Sequence, residues 1–141
     1  MKLIKLYSTA LLFILFSITS SGQSSNVIGK TFKLGKIEVA QNDFSERMNW
    51  EDAKKACAAL GIGWRLPTKK ELNDLYLNKE KIGGFQKESI RGFIGNAYFS
   101  STEEDDGSAW VQFFTDGKQY AGLNNTSIEY QECFVRAVRT F

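Results

Sequence analysis

Apolar and polar positions change their spacing several times along the chain, and each change marks an element. From Thr31 to Phe44 the pattern partly alternates, with Ile37 and Val39 at inward positions, which predicts one or two short strands. Trp50, Ala53, Cys57 and Leu60 then recur at three- and four-residue intervals. They share one face of a helix predicted over Trp50–Leu60, with Asn49 as its N-cap and Gly61 and Gly63 as its stop. Thr68 and Glu71 have the spacing of a capping box, so a second helix should follow, burying Leu72, Leu75 and Tyr76. The stretch Asn78–Asn96 loses periodicity and carries Gly83, Gly84, Gly92 and Gly95 among charged residues, which reads as a long loop.

The remainder has β character. Strands are expected at Tyr98–Ser101, Ala109–Phe114, Lys118–Gly122 and Cys133–Thr140, with an acidic turn at Glu103–Gly107 and a tight hairpin at Asp116-Gly117. Strand parity places Trp110, Gln112 and Phe114 on one face and Ala109, Val111 and Phe113 on the other, one of the two being core. The order predicts an α+β domain in which two helices pack on a small antiparallel sheet with long loops.

The N-terminal segment has a separate logic. Lys2 and Lys5 precede an apolar run from Ala10 to Phe16, and Ser20, Ser21 and Gly22 are small residues suited to cleavage, which is the layout of a secretory signal peptide over 1–22. The run is shorter than the roughly 20 apolar residues that span a bilayer, so no transmembrane segment is expected after cleavage. Residues 23–30 read as a flexible lead and 31–141 as one domain. Removing 1–22 takes away two lysines and no acids, leaving 16 basic and 16 acidic side chains. That neutral balance gives no electrostatic case for nucleic acid, which requires a basic stripe.

Export also bears on the two cysteines. In an oxidising compartment Cys57 and Cys133 are expected to pair, the alternative being two buried thiols. A bridge would tie the first helix to the last strand.

Five segments in order, Trp50-x-x-Ala53-x-x-x-Cys57, Trp64-Arg65-Leu66-Pro67-Thr68-x-x-Glu71-Leu72, Tyr98-Phe99-Ser100-Ser101-Thr102, Phe114-Thr115-Asp116-Gly117 and Val135-Arg136-Ala137-Val138-Arg139, resemble the DUF1566 family. That family is also known as the C-terminal domain of the Legionella collagen-like adhesin, and the Fibrobacter major paralogous domains look similar. The resemblance implies a C-type lectin-like fold in which a cysteine of the first helix pairs with one on a late strand. It often places the late cysteine where Ala137 stands here, four positions beyond Cys133.

Candidate chemistry is sparse. The chain has no histidine, which removes histidine-based triads, and oxidised cysteines would remove thiol catalysis. Trp50, Trp64, Arg65, Leu66, Pro67, Thr68, Glu71, Arg136 and Arg139 read as structural: Glu71 closes the capping box, Arg65 bonds backbone carbonyls, and parity lets only one of Arg136 and Arg139 point inward. Tyr98, Trp110, Tyr120 and Tyr130 are the candidates for a ligand surface, because an aromatic face with a polar handle suits a sugar; for Trp110 core packing is the competing reading. No cofactor is expected. Glu103, Glu104, Asp105 and Asp106 come nearest to a calcium loop, although consecutive acids rarely converge on one ion.

The expectation is therefore an exported, non-catalytic binding module, secreted, periplasmic or on the cell surface, taking a polysaccharide or a cell-surface protein. The alternative is a structural or assembly component of the bacterial envelope acting through protein contacts.

Overall fold

The computed structural model describes residues 26–87, 96–104, 108–121 and 132–141. The leader 1–22, Gly92 and Gly95, Asp105, Asp106 and Tyr130 lie outside the described residues.

Two three-stranded antiparallel sheets carry the fold. In the first, β1 (Phe32–Leu34) and β2 (Ile37–Val39) form a hairpin, and β6 (Val138–Thr140) adds to the far side of β2, giving the order β1-β2-β6. In the second, β3 (Ala97–Glu103), β4 (Ala109–Phe113) and β5 (Gln119–Ala121) lie in sequence order. The closing segment joins the two: Phe134 forms a parallel bridge with Tyr98 of β3, donating to the Ala97 carbonyl and accepting from the Phe99 amide, Cys133 bridges Met48, and the β6 residue Val138 bridges Arg65. The single strand expected over Cys133–Thr140 is thus a run of bridges that becomes regular only at Val138, because it changes partner along its length.

The helices form where the capping chemistry predicts. Helix α1 (Trp50–Ala59) starts at Asn49, whose side chain accepts from the Asp52 amide. Helix α2 (Lys69–Leu77) starts at Thr68 with both halves of the capping box in place. The long loop predicted over Asn78–Asn96 differs at its start: residues Lys79–Ile82 continue as a short helix α3, and Phe85 is buried. Glycines at 83 and 84, both at positive φ, then turn the chain sharply. The loose lead also differs where it is described, since Val27 is buried and the Val27 and Ile28 carbonyls accept from the Asn42 and Gln41 amides.

The helices lie on opposite faces of the β3–β4 pair. On one face Ala53 and Cys57 of α1 pack with Ala97, Phe99, Ala109 and Val111. On the other, Leu72 and Leu75 of α2 pack with Tyr98, Phe114, Phe134, Ile37 and Val138. Leu72 and Leu75 are fully buried, worth about 1.5–3 kcal/mol each. The expectation that only one face of β4 is core is corrected: Val111 and Gln112, on opposite faces, are both buried, because a helix covers each side.

Between these cores sits a charge. The Arg136 side chain has no exposure and Asp43 has 3%, and Nε of the arginine lies 2.6 Å from the carboxylate. Breaking a buried pair by removing one partner costs about 3–5 kcal/mol. Arg136→Met should therefore lower the urea midpoint of unfolding by that equivalent, and the double replacement with Asp43→Asn should cost clearly less than the two single losses combined. Strict additivity would show the pair to be energetically uncoupled.

Candidate functional site

The Asp43–Arg136 pair is the centre of a hydrogen-bonded assembly that shapes one surface cleft. Asp43 Oδ1 accepts from Arg136 Nε, and Asp43 Oδ2 accepts from the Tyr98 hydroxyl at 2.6 Å. Arg136 Nη1 donates to the carbonyls of Ala40 at 3.1 Å and Gly83 at 3.2 Å, and its guanidinium lies 4.0 Å from the centre of the Phe85 ring. The Tyr98 hydroxyl in turn accepts from the Gln86 amide at 2.9 Å. Asn96 donates its side-chain amide to the Gln86 carbonyl. Burial pushes the Asp43 carboxyl above its ordinary value, against the opposing pull of the Arg136 charge and the hydrogen bonds it accepts. It pushes the Tyr98 hydroxyl up as well.

These contacts hold Gly83, Phe85 and Gln86 against the core. With Lys79, Lys87, Asn96 and Thr115 they border a cleft of about 460 Å³. Its rim is polar and its floor is formed by Phe85 and Phe114, whose rings lie 4.8 Å apart, tilted at 46°. Lys79 Nζ donates to the Phe114 carbonyl at 2.8 Å, fixing that side of the rim. A second hollow of about 380 Å³ lies between the β1–β2 turn and α2, where Glu71 is engaged by Arg65 and Asp74 by Lys70.

The other predicted residues fall into place unequally. Arg65 donates to the Leu66 carbonyl, as expected, but its main partner is Glu71, which it grips with both Nη atoms at 2.7 and 3.0 Å. Arg65 thus acts on the capping box itself. This ion pair draws the Glu71 carboxyl below its ordinary value. Of the two late arginines only Arg136 points inward; Arg139 lies over Trp64 and pairs with Glu38 across the β2–β6 ladder. Leu66 and Pro67 are buried, and Trp50 Nε1 donates to the Ser100 carbonyl at 2.8 Å.

The aromatic ligand surface is not assembled as proposed. Tyr98 has no exposure and spends its hydroxyl on Asp43, so it belongs to the core. Trp110 is half-buried under the Lys69 ammonium, 3.0 Å from the ring centre, which covers one of its faces. Tyr120 is 47% exposed and rests edge-on against Phe113. Glu103 and Glu104 flank the end of β3, and among the described residues no three acidic or cysteine side chains converge to hold a metal ion.

The staple between Cys57 and Cys133 is also corrected. Both are free thiols within the same core, 0% and 2% exposed, and not at disulfide distance. Cys133 bridges Met48 from the closing segment, while Cys57 packs from α1 into the same core. Burial pushes both thiols up to about 12, far from the thiolate that reacts.

Asp43, Gln86 and Asn96 were not anticipated. An arginine inside an apolar strand demands an acid, and parity identified Arg136 or Arg139 as the inward one. Nothing in spacing pointed to Asp43, 93 positions earlier.

Residues 19–139 match the family described as Lcl C-terminal domain. A search among curated proteins gives no match. Among solved structures, the crystal structure of botrocetin aligns with a TM-score of 0.51 at 12% identity, covering 80% of this chain and 98% of that one. The fold is α+β and C-type lectin-like. Among the described residues no helix is long and apolar enough to cross a membrane.

Two measurements follow from this geometry. Because the folded Glu71 carboxyl titrates below its unfolded value, its contribution is complete at neutral pH and is lost as pH falls through the folded value. Glu71→Gln, which keeps the capping box and removes the partly exposed ion pair with Arg65, should cost about 0.2–1 kcal/mol at pH 7 and flatten the loss of stability in acid in a urea titration. For the thiols, a reductant should leave the melting temperature of the folded chain unchanged, and a thiol reagent should label neither cysteine until denaturant unfolds it.

Proposed function

The chain belongs to the Lcl C-terminal domain family, and from that premise we propose that it is an exported binding module that holds a carbohydrate or another molecule of the cell exterior. Family and lectin-like fold both fit a non-catalytic binding or adhesin-type domain. The observation that carries the finer reading is the cleft bordered by Lys79, Gly83–Lys87, Asn96 and Thr115. Its volume of about 460 Å³ falls within the range of small-ligand sites, roughly 300–1,000 Å³. Its walls are tied to the core through Arg136 and Tyr98, so little ordering is left for a ligand to impose. A polar rim over an aromatic floor suits a sugar ring, which presents hydroxyls at its edge and C–H groups on its face. Among the described residues the groups that could do chemistry are engaged: the thiols are buried in their protonated form, and the buried carboxylate is shared between an arginine and a tyrosine.

A glycan array probed with the mature chain tests the reading. Binding is expected, and Thr115→Trp, which fills the cleft from its exposed rim, should weaken it at least tenfold while leaving the melting temperature unchanged. An array without any bound glycan, together with one stoichiometric protein partner recovered from envelope extracts, would replace this reading with an assembly role through protein contacts.

A further inference from the structure

Among the described residues two buried side-chain atoms have no hydrogen-bond partner, Asn96 Oδ1 and Arg136 Nη2. A buried polar atom left unpaired is costly, so each calls for a reason. For Arg136 the reason lies beside it: the guanidinium sits 4.0 Å from the centre of the Phe85 ring, an arrangement that stabilises a cation without a hydrogen bond. Asn96 has no such compensation. It is 3% exposed and borders the cleft. Its amide has one orientation, because Nδ2 donates to the Gln86 carbonyl and turning the group over would set two oxygens against each other. Oδ1 is therefore the acceptor that Asn96 has left for a ligand.

We infer that Asn96 determines the specificity of the cleft, its Oδ1 accepting a hydrogen bond from a hydroxyl of a neutral pyranose that lies over Phe85 and Phe114. The inference rests on the reading of the cleft as a sugar site and adds the chemistry of one contact. An anionic oxygen has no proton to give Oδ1 and is repelled by it, which excludes a carboxylate, sulfate or phosphate at this point. An ammonium would meet the charge of Lys79. That lysine and Asn96 hold the two ends of one residue: Lys79 donates to the Phe114 carbonyl, and the Phe114 amide donates to the Asn96 carbonyl. A neutral hydroxyl suits both neighbours, since it donates to Oδ1 while its oxygen accepts from a lysine N–H. The cover over Oδ1 is able to yield. Gln86 beside it is exposed, and among the described residues its side-chain amide makes no hydrogen bond.

Asn96 has a structural duty as well, because Nδ2 holds the Gln86 carbonyl and with it the cleft wall. The two duties belong to different atoms. Asn96→Ala removes both, whereas Asn96→Asp removes the donor and keeps an acceptor oxygen in the place of Oδ1. A purely structural asparagine makes these variants alike, with the aspartate the worse of the two, since it sets a carboxylate oxygen against the Gln86 carbonyl. A residue that reads a ligand hydroxyl makes them differ in binding, in favour of the aspartate.

The test is titration of the mature chain with the methyl pyranosides of glucose, mannose and galactose, followed by backbone and side-chain amide shifts in proton–nitrogen correlation spectra. At least one should bind, with the Asn96 side-chain resonances among those that move. Asn96→Ala should weaken that binding about tenfold or more, while Asn96→Asp stays within about threefold of the unsubstituted chain; both should lower the melting temperature through loss of the Gln86 bond. Should either variant fail to fold, the unsubstituted chain decides alone: in the monodeoxy series of the bound glycoside, removal of one hydroxyl should cost about tenfold or more and removal of the others little. Equal weakening in the two folded variants, or a deoxy series in which no single hydroxyl matters, would overturn the role of Asn96 and leave standing a sugar site that Thr115→Trp blocks. So would a cleft that takes glycans from the array but none of these neutral pyranosides. An array without any bound glycan removes the sugar reading itself, and this inference with it.

Discussion

A single buried ion pair holds the parts of this domain in register with one another. Arg136 comes from the segment before β6, Asp43 from the segment after β2, and their shared contacts reach β3 through Tyr98 and the wall of the cleft through Gly83. Two hydrophobic half-cores meet along this line. Apolar contacts would keep them together in many relative positions, since hydrophobic attraction has no direction. The ion pair has direction, because a charge without exposure demands its partner at bonding distance. The price of desolvating both groups is offset by three further hydrogen bonds, one from the Tyr98 hydroxyl to Asp43 and two from Arg136 to the Ala40 and Gly83 carbonyls.

The same arrangement explains how a fold with short strands presents a defined cleft. Among the described residues only β3 exceeds five residues in a regular strand, and β1, β2 and β6 have three each. Much of the surface is consequently loop, and loops carry binding sites when a scaffold positions them. Here the scaffold reaches the loop through side chains. Phe85 is buried between Tyr98 and Phe114, and Lys79 bonds the Phe114 carbonyl from the other side.

How much of this was legible in the sequence differs by type of interaction. Local signals translated well: Asn49 and Thr68 cap their helices, Glu71 closes the box, and Ile37 and Val39 point inward, because each depends on neighbours a few residues away. The family resemblance carried the fold class. Parity correctly allowed only one inward arginine but could not supply Asp43, since pairing across 93 positions is a property of the tertiary fold. Tyr98 was misread for a related reason. A tyrosine in a strand looks the same whether its hydroxyl meets water or a buried carboxylate. The cysteines were misread because compartment chemistry says whether a bridge is permitted, and packing decides whether two sulfurs meet.

The helices on both sides of β3–β4 leave this sheet with an unusual problem of alignment. In a sheet wet on one face, sliding a strand by one residue would bury its polar side chains, and hydrophobicity alone forbids it. Here both faces are covered, so the apolar residues would tolerate such a slip. The residues that forbid it are the few polar ones inside. Gln112 must find Asn73 and the Gly117 carbonyl, Ser100 must find the Trp110 carbonyl, and Tyr98 must find Asp43. A chain that slipped would strand all three. Correct strand alignment during folding is thus set by its buried hydroxyls and amides, while its hydrophobic residues supply adhesion without addressing it.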